Sequence, residues 1–285
     1  MAESSLANPA LTAALALIFG IISTSLARHI RIPSIVPLLA FGVLLGPDFL
    51  NLIQPQALGE GLTILVGFAV SIILFEGGMD LQIKRLQTQA KSIRNLISIG
   101  ALVTCIGGAL AAKITLGWSW TACLLFGTLV IVTGPTVINP LLRRIRVKER
   151  VHTVLEGEGI FIDAVGALIA IIALEIAISP TGEAFAFGLW HLVSRLGFGL
   201  IIGGLGGWFV AFLLRQDNII PEGLENTFTL SSALALFQAS NTILPESGIM
   251  AVIVAGLVVG NVKTRALEEL KEFKEQLTVL VIGML

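Results

Sequence analysis

Apolar runs about twenty residues long recur along this chain, with short charged stretches between them. A hydrocarbon core roughly 30 Å thick takes about 20 helical residues to cross. By that ruler nine spans are expected, at 9–27, 33–53, 57–79, 95–116, 119–142, 153–179, 190–214, 228–244 and 247–262. The final apolar run, 277–285, covers about half a bilayer and reads as the start of a tenth span, in a fragment of a longer protein or a truncated gene product. Only 13% of residues are charged and 55% are hydrophobic, too few polar groups to cover a soluble domain of this length. The expected class is an all-α polytopic membrane protein.

Charge orders the spans. Of the 18 Lys and Arg, all but Lys113 and Arg195 fall in the loops that follow the odd-numbered spans. The positive-inside rule puts those loops in the cytoplasm and the N-terminus outside. Trp118, Trp120 and Trp190 fall near the expected outer boundary, where interfacial tryptophans belong. No positive stretch precedes the first apolar run, so it reads as a retained span. Residues 264–276 are charged and amphipathic and suit a cytoplasmic surface helix.

Other classes are not supported. A net charge of −1 leaves no basic patch for nucleic acid. Cys105 and Cys123 lie in separate apolar stretches, with neither a disulfide framework nor metal spacing. There is no HExxH and no serine nucleophile elbow, so an enzyme is not expected, nor is a cofactor. Glycine is frequent, and Gly199/Gly203/Gly207, Gly42/Gly46 and Gly256/Gly260 repeat at four-residue spacing. That spacing lets membrane helices approach closely, within a bundle or between subunits.

Two features carry chemistry. Span 5 contains Thr133-Gly134-Pro135, with Pro140 beyond it. Proline removes a backbone N–H and frees a carbonyl one turn back. Within a membrane such a break is tolerated beside protein or a wet cavity. Transporters use broken helices to offer carbonyls and helix ends to ions, although a simple kink looks the same in sequence. Span 6 carries Asp163 about ten residues in, roughly 15 Å deep and near the midplane. No Lys or Arg stands three or four residues away to neutralise it. Apolar surroundings favour the protonated acid, whereas a bound cation favours the carboxylate. One charge for which proton and cation compete is the physics of exchange; a carboxylate salt-bridged to another helix is the plainer alternative.

The remaining polar residues read more modestly. Glu158 lies about a turn and a half before Asp163, on a different face, and suits pairing with an arginine elsewhere. Glu156 suits hydration near the cytoplasmic boundary, and Glu175 a solvated outer helix end. Glu76 suits either a wet vestibule or a ligand role. Gln238, Ser240 and Asn241 suit interhelical hydrogen bonds or a cavity.

FEGGMDL (75–81), TGPTVINPLLRR (133–144) and LEGEGIFIDAVGA (155–167) resemble three marker segments of the cation:proton antiporter superfamily, in order and in register. The resemblance covers essentially the whole chain and is nearest to prokaryotic NhaP-type sodium/proton exchangers. It implies an inverted-repeat fold with a discontinuous helix at Gly134 and Pro135, and a homodimer in a bacterial plasma membrane. On this likeness 1–179 would be the first repeat, with 180–285 holding spans 7–9 and the start of span 10. Asp163 would alternately bind Na⁺ or K⁺ and a proton. Thr133 would ligate the ion by hydroxyl or carbonyl, and Gly159 would lie beside it. Glu158 would be a structural acid paired with an arginine of a later helix, and Glu76 an accessory acid. This chain departs from the commoner pattern at Gly134, Ile162 and Gly159, where most relatives carry Asp, Asn and Ser. A lone exchange carboxylate implies electroneutral exchange, and a fragment without the second repeat is expected to be inactive. A channel-like cation pathway and a non-transporting membrane fragment are the competing readings.

Overall fold

The computed structural model describes residues 8–30, 32, 34–133, 142, 147–178, 182–216, 219–221 and 223–262. Among the described residues all regular structure is helical. The helices are α1 (Pro9–Ile30), α2 (Ile35–Leu45), α3 (Glu60–Asp80), α4 (Ile83–Asn95), α5 (Ala101–Leu116), α6 (Trp120–Leu129), α7 (Glu149–Ile178), α8 (Gly182–Leu214), α9 (Glu225–Ile243) and α10 (Gly248–Gly260). Five stretches are long and apolar enough to cross a membrane: Pro9–Ala27, Glu60–Asp80, Ile83–Leu116, Glu149–Ile178 and Gly188–Leu214. The protein is an integral multi-pass membrane protein. α2, α6 and α10 are apolar but shorter.

Several boundaries depart from the expected ones for local reasons. α2 stops at Leu45 rather than near 53, because Gly46 precedes Pro47 and takes the extended conformation that residues before proline prefer. Span 4 begins twelve residues early: α4 runs through a π-helical turn, Leu96–Gly100, into α5. α4 is polar on one side, so it reads as a loop, but its Leu86 and Ile93 pack beside Gly157 of α7. α8 likewise starts at Gly182 rather than near 190.

The chain divides into two compact units. In the first, whose described residues run from 8 to 73, α1 packs on α2 and the Phe19 and Phe41 rings stack with centroids 6.1 Å apart. Ser23 and Thr24 of α1 return their hydroxyl hydrogens to Phe19 O and Gly20 O, which satisfies them inside an apolar helix.

The second unit, whose described residues lie between 74 and 262, contains the candidate site. Its close contacts are made by glycine. An added Cβ on Gly203 would run into the Ala251 carbonyl, and one on Gly199 would stand 2.5 Å from Ser247 O, so α8 lies backbone-close along α10. Gly207 meets Ala255 in the same way. α10 presents Gly256 and Gly260 to the carbonyls of Phe75 and Met79, and Gly78 of α3 meets Ile253 O. The bundle-packing reading therefore holds for these glycines. It does not hold for Gly42, which has no described atom within 4 Å of an added Cβ, nor for Gly46, whose neighbours belong to its own helix.

Polar residues finish the joints. Asn261 donates to Leu81 O (2.7 Å) and Leu257 O (2.8 Å) and accepts from Ile83 N (2.9 Å), tying the end of α10 to the α3–α4 turn. Ser240 and Ser247 share a 2.7 Å hydrogen bond, and Asn241 accepts from Gly248 N at 2.8 Å. These two polar residues of span 8 thus bond within the α9–α10 hairpin, while Gln238 is exposed. On α5, Lys113 donates to Trp118 O at 2.8 Å and lies 5.5 Å from the Trp120 ring centroid, closing the α5–α6 hairpin.

Candidate functional site

α6 ends at Leu129. Val130 and Ile131 form a turn, and Val132 and Thr133 have left the helix. The break expected at Gly134-Pro135 therefore begins before them. Pro135 has no N–H to give the carbonyl one turn back, at Ile131, so the helix has reason to stop there. Gly134, Pro135 and Pro140 themselves lie outside the described residues.

The stretch that leaves α6 runs along α7. Ile131 packs with Ile162 in one apolar cluster. An added Cβ on Gly166 would stand 2.6 Å from Val132 Cγ2, so that glycine admits the stretch to the helix surface. Thr133 then reaches Glu158, its Oγ1 3.3 Å from both Oε1 and Oε2. These contacts at 158, 162 and 166 bracket Asp163.

Glu158 and Asp163 are both half-buried on α7. Five residues on a helix are about 140° apart, so the two acids leave α7 in different directions, as the spacing predicts. Gly159 is buried within α7. Glu76 is half-buried near the end of α3, next to Gly77, whose added Cβ would stand 3.3 Å from Ile160 of α7. The structure thus brings the Glu76 turn to α7 between Glu158 and Asp163. Among the described residues no group of three or more His, Cys, Asp or Glu side chains could hold a metal ion.

Glu156 differs from its expected surroundings: it pairs with His152 at 3.4 Å, its side chain 19% exposed, rather than standing hydrated. Glu175 is exposed near its helix end, as expected, and also pairs with Arg195 of α8 at 3.4 Å. Sequence reasoning also missed Asn261. A single asparagine after an apolar run reads as loop, and nothing local points to Leu81 and Ile83.

The stretch that leaves α6 thus runs along the carboxylate-bearing side of α7, inside a bundle of membrane helices. A family described as "Sodium/hydrogen exchanger, transmembrane" matches residues 13–284, and the chain belongs to that family. It is 28% identical over 267 residues to the K(+)/H(+) antiporter NhaP2 of Shewanella oneidensis, covering 93% of this chain and 46% of that protein. It is 29% identical over 239 residues to the Na(+)/H(+) antiporter NhaS2 of Synechocystis, covering 82% and 42%. The chain spans about half the length of the curated relatives it matches. The sodium proton antiporter MjNhaP1 from Methanocaldococcus jannaschii shares the fold, with a TM-score of 0.80 at 23% identity over 95% of this chain and 68% of that one.

Proposed function

We propose that the protein containing this chain exchanges a monovalent cation, Na⁺ or K⁺, for a proton, with Asp163 as the shared site. The observation that carries this reading is the bracketing of Asp163 by Ile131–Thr133, through Ile162, Gly166 and Glu158. It supports an unwound stretch standing beside a half-buried carboxylate. There, backbone carbonyls and the Thr133 oxygen are available to replace part of a cation's water shell.

In this mechanism Thr133 donates its one hydroxyl hydrogen to Glu158, which leaves its oxygen lone pairs for the ion. Glu158 is the structural acid: it holds Thr133 and pairs with an arginine of a later helix. When the ion leaves, a carboxylate in an apolar setting has lost its counter-charge, and Asp163 takes up a proton. Cation and proton are therefore never bound at Asp163 together. One proton crosses for each cation, and the exchange is electroneutral. Gly159 leaves room beside the ion, and Glu76 supplies negative potential along its approach. The protein works as a homodimer in a plasma membrane, with the N-terminus outside.

The test is a vesicle assay of the intact protein. An imposed Na⁺ or K⁺ gradient should drive opposite proton movement, insensitive to membrane potential. Cation flux without proton movement would favour a channel instead.

A further inference from the structure

We propose that α4 carries a docking surface for anionic phospholipid headgroups of the cytoplasmic leaflet, made by Lys84, Lys91 and Arg94. The inference goes beyond ion exchange and rests on how α4 is held. One side of α4 faces α7. An added Cβ on Gly157 would stand 2.8 Å from Leu86 Cδ2 and 2.9 Å from Ile93 Cδ1. Arg85 pairs with Glu149 at 3.0 Å, and Gln89 accepts from Arg150 Nε at 2.9 Å. These contacts fix the rotation of the helix. At about 100° per residue, Lys84, Lys91 and Arg94 then fall within roughly 80° on the opposite side. All three are exposed, and α4 contains no acidic residue. Among the described residues none of the three is in an ion pair.

The same face continues into lipid. A π turn inserts one extra residue per turn relative to α-helical spacing. Allowing for that, Ile99, Leu102 and Ile106 extend the face past Leu96–Gly100, and they are 62%, 59% and 49% exposed. A strip that is basic at one end and apolar at the other matches a phospholipid, headgroup and chain together.

Depth agrees. The contact of Ile93 with Gly157 aligns α4 with α7, six residues before Asp163. With Asp163 near the midplane, Arg94 lies roughly 7 Å inside the hydrocarbon boundary, Lys91 about 3 Å inside and Lys84 about 7 Å outside. Long basic side chains at those depths extend their heads to the interface. Three cations thus meet one layer, which in the cytoplasmic leaflet carries the anionic lipids.

The experiment titrates phosphatidylglycerol and phosphatidylcholine separately into the full chain in neutral detergent, with native mass spectrometry reading retained lipid. Phosphatidylglycerol should bind at least tenfold more tightly. Each Lys or Arg near the surface is worth roughly fivefold, so K91Q should weaken phosphatidylglycerol about fivefold and K84Q/K91Q/R94Q by far more. K84R/K91R/R94K should retain the preference, as should R85Q, which alters the other side. Equal binding of the two lipids, or a preference that survives K84Q/K91Q/R94Q, overturns the proposal. So does a cross-link from Lys91 to an acidic protein segment that added phosphatidylglycerol does not displace. If the triple variant does not fold, K91Q alone decides.

Discussion

The hydroxyl of Thr133 stands 3.3 Å from each carboxylate oxygen of Glu158, 25 residues further along the chain. That is long for an O–H···O hydrogen bond, and a single hydrogen can serve only one of the two oxygens at a time. Thr133 is therefore held by the acid without being saturated by it, and its oxygen keeps lone pairs for a further partner.

Removing that hydroxyl should weaken cation binding while leaving the helices in place. Thr133→Val should raise the half-saturating cation concentration roughly tenfold, as expected for about 1–2 kcal/mol from one polar contact. Thr133→Ser should stay near the parent. Equal loss in both variants would point to packing of the methyl group instead.

Asp163→Asn keeps the shape and removes the titratable charge. Cation-driven proton movement in vesicles should vanish, with the detergent melting temperature within a few degrees of the parent. Retained exchange would sink the assignment of Asp163.

Competition at one carboxylate fixes a pH signature. Protons displace the cation, so where the site is mostly protonated its apparent cation affinity should fall about tenfold for each unit the pH drops. Where the site is mostly ionised, affinity should level off. A steeper fall, near a hundredfold per unit, would require two protons per ion and would end the electroneutral reading.

Neighbouring glycines of α8 should respond in opposite ways. Gly203 abuts the Ala251 backbone, whereas Gly204 has no described atom within 4 Å of an added Cβ. Gly203→Ala should cost about 1–3 kcal/mol by overpacking. Gly204→Ala should be neutral or stabilise by up to about 1 kcal/mol through helix propensity. Thermal unfolding of both in the same detergent checks the pair.

Asn261→Ala should cost about 1–3 kcal/mol by leaving Leu81 O and Ile83 N without their side-chain partner. Asn261→Asp keeps one acceptor for Ile83 N and should fall between.

Much of the helical framework was legible because a bilayer imposes a length that apolar runs must meet. The four-residue glycine spacing of Gly199, Gly203 and Gly207 showed which side of α8 is close-packed, though not that α10 is its neighbour. Gly42 and Gly46 have the same spacing without the contact, since spacing says that approach is possible and not that a partner is there. α4 was hidden because its one apolar side is too narrow to register as a span. Asp163 stood out through the cost of its burial. The pairing of Thr133 with Glu158 did not, because it joins two segments whose only link in sequence is a long basic loop.

The contact between α3 and α10 has a mechanical consequence. Phe75 and Met79 meet Gly256 and Gly260 backbone to backbone, and Asn261 fastens the turn below. Any tilt that carries Glu76 must carry α10 with it, and drag the first turn of α4 as well, so these parts form one lever rather than three independent rods.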